Sequence, residues 1–379
     1  MNKQSSAKFW HSIHSWVGLK LSLLMTFILL TGSIAVFSAE IDWFFLPEMR
    51  SSDSTPSAQV AWGASFDAAR RNYPEYELDS LNRYLQEYIA LQVVANTPWN
   101  ELVRIWVEPG DGTISGVTPW YNVQRFFRSL HRHLMMPNNL GIPIVTFMAF
   151  PLLISLIAGL FIYKKFWRGL FKRPRFELKA RIWLGDLHRL IGLWGSWFIA
   201  LIIITSIWYF VEEFGGNAPT FPTPVSRSWG GSSDLPRGFS GQELDQAVEL
   251  ALIELPGLEI RRIGLGETLI IEGDLTANFV RPRANSVYID PLNLRVLGSY
   301  KGEELGLHNR ISEAADPLHF GYFGGLITKI IWFFLGISMT ALSISGFMIY
   351  GARLKKIALT GKDRKINNNP KSEEDIHFS

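Results

Sequence analysis

Cysteine is absent from this chain of 379 residues. That excludes disulfides, iron–sulfur clusters, a cysteine nucleophile and any prosthetic group held by a thiolate or thioether. Charge is sparse too, at 19% of residues with a net of only +3, and its basic clusters read as topology determinants rather than as a nucleic-acid surface. No Gly-x-Gly-x-x-Gly, no P-loop and no His-Glu-x-x-His occurs, and Gly264-Leu265-Gly266 lacks the third glycine. Internal NAD, flavin or nucleotide sites and a zinc-protease site are therefore not expected, and no catalytic acid–base or nucleophilic constellation is found.

What the chain has is apolar length: 47% hydrophobic residues, with 14 Trp and 26 Phe. Runs at about 16–38, 140–163, 187–211 and 325–350 each reach the roughly 20 residues a membrane crossing needs, and spanning segments must be helical to satisfy their own backbone. Basic residues flank them at Lys3 and Lys8, at Lys164, Lys165, Arg168, Lys172, Arg173, Arg175, Lys179 and Arg181, and at Arg353, Lys355 and Lys356. The positive-inside rule puts these flanks and both termini in the cytoplasm of a bacterial inner membrane. The first run exceeds a signal-peptide core of about 7–15 residues and reads as a retained helix.

The chain is a duplication. His14-Ser15-Trp16-Val17-Gly18-Leu19 overlays His188-Arg189-Leu190-Ile191-Gly192-Leu193, and each run reaches a threonine 17 positions after its histidine, Thr31 and Thr205. Leu130-His131 and Leu318-His319 likewise precede runs ending at Gly159 and Gly346. Between the runs, Val107 to Thr113 resembles Ile289 to Arg295, each an extended stretch, an acid, a proline and a polar turn that read as a hairpin. Helical stretches precede them at 65–72 and 241–254, and strands are expected at 269–273 and 278–280.

The predicted fold is an integral membrane protein, four transmembrane α-helices in a bundle built from a duplicated helix–domain–helix unit, with two small α+β periplasmic domains. The expected boundaries are 1–38 (N-terminus and first span), 39–130 (first domain), 131–163 (second span), 164–186 (basic loop), 187–211 (third span), 212–317 (second domain), 318–350 (fourth span) and 351–379 (tail). Segment 213–240 is expected to be an exposed loop. The tail from about 357 is expected to be disordered, and its His377 gets no role.

Histidine in an apolar span marks function. The pseudo-twofold brings His14 towards His188 and His131 towards His319, and each pair offers both axial ligands of one b-type haem. Without cysteine such haem is non-covalent, and a bis-histidine iron suits electron transfer. Gly18 and Gly192, one turn beyond their histidines, leave room for a flat macrocycle; Gly32, Gly159 and Gly346 lie level with the two sites. Arg132 and Arg189 follow their histidines and suit haem propionates. Zinc would need three or four ligands, which each pair lacks unless His11 or His133 joins; those two and His308 read as supporting or surface residues. Lys20 reads as snorkelling to the interface. Arg125 and Arg128 share the outward flank of Arg132.

These histidine motifs, with the strand–acid–Pro–turn elements at 108–117 and 290–298, resemble the PepSY-associated transmembrane family across nearly the whole chain. The length and four-helix layout are similar to those of the FoxB-type inner-membrane siderophore reductases. The resemblance implies PepSY-like domains, two haems, and reduction of a ferric siderophore in the periplasm, with electrons from an external donor, a quinol or a cytoplasmic reductase. Two other readings stay open. One is a membrane anchor whose domains bind an envelope protease or sensor; the other is a transporter, against which stands the lack of acidic residues at mid-span.

Overall fold

A computed structural model describes residues 3–52, 59–163, 168–219 and 231–367. Lys164, Lys165, His377 and the 220–230 part of the expected loop lie outside the described residues, and of Lys3, Arg353, Lys355 and Lys356 only the helical backbone is described.

Helices Asn138–Ile162, Ser196–Gly216 and Gly325–Gly351 are long and apolar enough to cross a membrane, and the pair Lys8–Lys20 with Ser22–Val36 makes a fourth if counted together. That pair bends by 67°, so the expected continuous first span is in fact two helices, α1 (Lys3–Lys20) and α2 (Ser22–Val36). The third run is divided in the same way, into α8 (Ala180–Trp194) and α9 (Ser196–Val211). Both breaks share one cause. The Ser22 hydroxyl donates to the Leu19 carbonyl at 3.2 Å and the Ser196 hydroxyl to the Leu193 carbonyl at 2.9 Å, local bonds that compete with the helical ladder. A third such serine, Ser38, bonds Ala35 where α2 gives way to α3 (Ser38–Phe45).

The helices and strands that follow are α4 (Trp62–Asn72), β1 (Glu77–Asn82), β2 (Leu91–Asn96), β3 (Leu102–Val107), β4 (Ile114–Pro119), α5 (Val123–His133), α6 (Asn138–Phe147) and α7 (Ala149–Ile162). After α8 and α9 come α10 (Gly241–Glu254), β5 (Glu259–Gly264), β6 (Leu269–Asp274), β7 (Ser286–Asp290), β8 (Arg295–Tyr300), α11 (Leu307–Phe320) and α12 (Gly325–Asn367). His131 and His319 therefore do not open their spans. They close separate helices, α5 and α11, each capped by a left-handed residue, Leu134 and Gly321. Nor is the tail unstructured at 357, since α12 continues to Asn367; Leu, Lys, Ala and Arg there are good helix formers. Residues 278–280 form a turn instead of a strand, with Phe279 at φ 55. The flanks of the expected loop hold short helical turns, Glu212–Gly216 and Gly231–Asp234.

The chain forms two compact units. One comprises Met1–Leu30, Met148–Ile203 and Leu335–Ser379; the other comprises Thr31–Phe147 and Ile204–Phe334. In the first, α1 packs on α7, with Trp10 stacked on Phe161 at 4.6 Å, and Thr26 donates to Ser343 on α12 at 2.8 Å.

The second unit holds the strands. They form one antiparallel sheet of order β4-β3-β2-β1-β5-β6-β7-β8, not two separate ones. Each repeat gives a four-stranded meander, and β1 joins β5 with Leu81 opposite Ile263, both fully buried. Helices α4 and α10 cover one face, over a core of Phe66, Leu78, Leu91, Ile105, Leu244, Ile271 and Val287. They meet reciprocally: the Gly63 amide donates to Asp245 at 2.8 Å and the Gly241 amide to Asp67 at 2.7 Å. Gly-x-x-x-Asp thus recurs in both repeats, each aspartate capping the other's helix.

A Cβ at Gly63 would lie inside contact distance of the Gly241 carbonyl oxygen. Gly63→Ala should therefore push the helices apart and destabilise the sheet domain by about 1–3 kcal/mol. Thermal melting followed by the β-sheet circular-dichroism signal tests this, and an unchanged melt would show that the helix contact is soft.

A candidate cofactor site in each unit

In the first unit His14 on α1 faces His188 on α8, ring centres 6.1 Å apart and planes inclined at 78°. In the second, His131 on α5 faces His319 on α11, 6.2 Å apart at 38°. Two imidazoles bound to one metal from opposite sides, at about 2 Å per nitrogen, have centres roughly 6 Å apart.

The other ring nitrogen decides which atom is available. His14 Nδ1 donates to the Ser155 carbonyl at 3.0 Å. His188 Nδ1 lies 2.9 Å from Ser345 Oγ, whose own hydrogen goes to the Leu342 carbonyl at 3.0 Å. The serine oxygen therefore accepts from the ring. Ser155 and Leu342 each sit four residues before the matched glycines Gly159 and Gly346. His319 Nδ1 pairs with Thr205 Oγ1 at 2.8 Å, and Thr31 is buried at the matching place in the other repeat. With the Nδ1 hydrogen of His14 and His188 given to an acceptor, their Nε2 keeps its lone pair, as in metal-binding histidines oriented by a second partner.

Glycines let the rings in. An added Cβ would lie 2.6 Å from His131 Cε1 at Gly32, 3.2 Å from His188 Cε1 at Gly346 and 3.9 Å from His14 Cε1 at Gly159. His319 instead packs against the Tyr209 ring at 5.3 Å. The first pair lines an apolar cavity of about 470 Å³, with Gly18, Gly192, Arg189 and Tyr163 among its walls. A Cβ at Gly18 would meet nothing within 4 Å. This volume falls within the range of small-molecule and cofactor pockets.

Arg189 also lines this cavity. It pairs with Asp186 at 3.2 Å, yet its Nε is buried without a partner. Such a donor fits an acidic group carried by a ligand. The Arg175 side chain, hydrogen-bonded to Asp186, holds that carboxyl down at about 2. Arg132 is exposed. The remaining histidines play other parts. His11 is exposed, with Nδ1 3.3 Å from Ser15 Oγ. His133 abuts Gly141 and its buried Nδ1 has no partner. His308 pins α11 to the Gly216 carbonyl at 3.0 Å.

Among the described residues, no group of three or more His, Cys, Asp or Glu side chains is placed to hold a bare metal ion. Two-ligand sites of this spacing fit a metal whose other ligands come from a macrocycle. Sequence reasoning found the four histidines and their glycines but missed Ser155, Leu342 and Ser345, whose role depends on which helices meet. It also missed Asp42, which is 1% exposed and accepts from the Val123 and Gln124 amides, both at 2.9 Å. Asn122 takes the Arg125 amide at 3.0 Å, so the first amides of the helix carrying His131 are satisfied from outside it.

The family model described as the PepSY-associated TM region matches residues 11–353. An uncharacterized protein of Pseudomonas aeruginosa is 25% identical over 231 residues, covering 52% of this chain. The match takes in about half, 53%, of that relative's own length.

Thr205→Val should free His319 Nδ1 and let the ring change tautomer. Nitrogen-15 NMR of labelled histidine should then show the His319 resonances moving while those of His14 and His188 stay. Unmoved His319 resonances would mean that the threonine does not orient the ring.

Proposed function

This chain belongs to the PepSY-associated transmembrane family, and from that premise we propose that it is a di-haem b electron-transfer protein reducing ferric siderophore, an Fe(III) chelate, in the bacterial periplasm. The observation that carries the proposal is the geometry of the two histidine pairs, 6.1 and 6.2 Å between ring centres. The residues fit non-covalent bis-histidine haem: His14 with His188 would hold one group and His131 with His319 the other, with Arg189 and Arg132 for propionates. When bound, such a group supplies a one-electron carrier without an open iron position.

The protein's own task is orientation and insulation. Ser155 and Ser345 fix ring tautomers and Thr205 orients the His319 ring. Gly18 and Gly192 leave the cavity clear, and apolar residues such as Leu152, Leu156 and Met339 line it against water. The described basic residues between the second and third spans, from Arg168 to Arg181, support a cytoplasmic loop and a periplasmic sheet domain in the inner membrane. One electron converts one chelated Fe(III) to Fe(II). A quinol donor, releasing two electrons and two protons on becoming quinone, would serve two chelates. Reduction favours release because hard oxygen donors suit Fe(III) better than Fe(II).

Pyridine haemochrome assay of the purified protein should give about two haem b per chain, fully extractable by acid–acetone. His14→Ala or His188→Ala should cost one haem and His131→Ala or His319→Ala the other, whereas His11→Ala should cost none. A haem content near zero would sink the proposal and leave the anchor reading.

Chemically reduced protein should reoxidise on mixing with ferric chelate, and a ferrous trap should collect about one Fe(II) per electron lost. His319→Ala should abolish this while the first-unit haem stays reducible. If reduced protein stays reduced with every chelate tried yet reoxidises with quinone, the substrate class is wrong.

A further inference from the structure

The duplicated unit is not electrically symmetric. Overlaying His131 on His319 puts Arg125 on Glu313 and Arg128 on Asp316. The carboxylates of α11 are neutralised. Glu313 accepts from Arg281 at 2.8 Å and from Arg283 at 2.9 Å, and Asp316 accepts from Arg281 at 2.9 Å and from the Tyr209 hydroxyl at 2.8 Å. The arginines of α5 have no such relief. Among the described residues, no carboxylate pairs with Arg125, Arg128 or Arg132.

Of these, Arg125 packs on an aromatic ring that it shares with the buried Arg104 of β3. The Arg125 guanidinium lies 3.7 Å from the centre of Trp120, and Arg104 lies 4.5 Å from the same centre. Burial first, and then Arg128 and Arg104 close by, bring Arg125 down to about 10. Arg128 and Arg132 are exposed, as is Tyr121. At 3.6 residues per turn Arg125, Arg128 and Arg132 form one stripe on α5, and His131 lies on its flank, roughly 60° from Arg128.

We propose that Arg125 and Arg128 on this stripe, beside Trp120, form the docking site for a soluble, negatively charged ferric chelate bearing carboxylate or catecholate groups, in preference to neutral chelates. The proposal rests on the reductase reading and adds the substrate's charge class to it. Charge complementarity carries it: guanidinium forks match carboxylate geometry, and unneutralised cations raise the local concentration of an anion within about a Debye length, 8–10 Å. The patch reaches the edge of the sheet, since Trp120 follows β4, and α5 lies outside the candidate spans. These placements favour a soluble ligand over a lipid headgroup. In the reaction served, chelated Fe(III) gains one electron from the external donor and becomes Fe(II), and the arginines neither lose nor gain protons.

Full-length protein in neutral detergent would be titrated with ferric citrate, ferric tris-catecholate and a neutral ferric trihydroxamate, with binding read calorimetrically. The anionic chelates should bind at least tenfold more tightly than the neutral one, and the advantage should shrink as salt rises. Arg128→Glu, at an exposed position that carries no packing, should weaken anionic binding tenfold or more; Arg125→Gln should do the same if it folds. Equal affinity for neutral and anionic chelates, or no effect of Arg128→Glu, overturns the proposal. So does arginine-dependent binding to phosphatidylglycerol vesicles without chelate binding. Haem content measured on the same preparation separates the two claims. Anion binding without haem leaves the docking site and removes the reductase, whereas two haems without anion selectivity does the reverse.

Discussion

An imidazole in apolar surroundings has two nitrogens to satisfy, and most of the architecture around the four histidines follows from how the first is satisfied. A carbonyl or hydroxyl takes the Nδ1 hydrogen of His14 and His188, and the Thr205 hydroxyl pairs with Nδ1 of His319. Within each pair the second imidazole stands about 6 Å away, centre to centre. The proposed metal-centred group would be held between the two rings of each pair. The glycines against the rings and the serine-induced breaks that free α1 and α8 from the helices after them all keep this facing arrangement possible.

Duplication preserved the devices that position the pairs and let the surroundings drift. Ser22 and Ser196 break their helices alike, and Asp67 and Asp245 cap each other's helix. The two hairpins keep a positive φ at matched positions, 77 at Gly112 and 53 at Leu294. Leucine carries a steric cost there that glycine does not, and the Asn293 side chain, accepting the Arg295 amide at 3.1 Å, holds the turn closed around it. By contrast α5 and α11 diverged to opposite charge. A homodimeric ancestor with two such units would have had identical flanks on its shared site; a fused chain can make one flank basic and neutralise the other.

The histidine pairs were legible because a repeat in sequence implies an axis in space, and an axis brings equivalent residues together. The α4 and α10 segments and the hairpin turns were legible from local pattern. What could not be read was non-local. The apolar runs are continuous through Leu21 and Gly195, so hydropathy alone gives one helix where hydroxyl bonding gives two. Strand β2, Leu91–Asn96, is buried at five of its six positions and lacks alternation, the pattern of a strand covered on both faces. That β1 would pair with β5 and fuse two modules into one sheet depends on edges far apart in sequence. The arginines of α5 were visible as charges. Only structure reveals that their counterparts on α11 are paired with arginines while, among the described residues, no carboxylate pairs with them.

One short helix ties the sheet domain to the second pair. On α3, Asp42 holds the start of α5 and hence His131, while Glu40 forms a buried ion pair with Lys329 on α12. Near that lysine Trp332 donates to the Leu318 carbonyl at 2.8 Å, and an added Cβ at Gly321 would run into the Trp332 ring, so this stretch of α12 fixes the end of α11 and His319. Burial raises the Asp42 carboxyl, and the two amides it caps oppose that rise. A buried ion pair is poor evidence for stability, because desolvation offsets much of its attraction; its value here is registry. Glu40 also accepts from Gln86 at 3.3 Å, and Trp43 donates to the Tyr88 carbonyl at 3.0 Å, both partners lying between β1 and β2. Any shift of the sheet domain would pull on α3, and through its two carboxylates on both histidines together. The eight residues of α3 thus hold both helices that carry the rings.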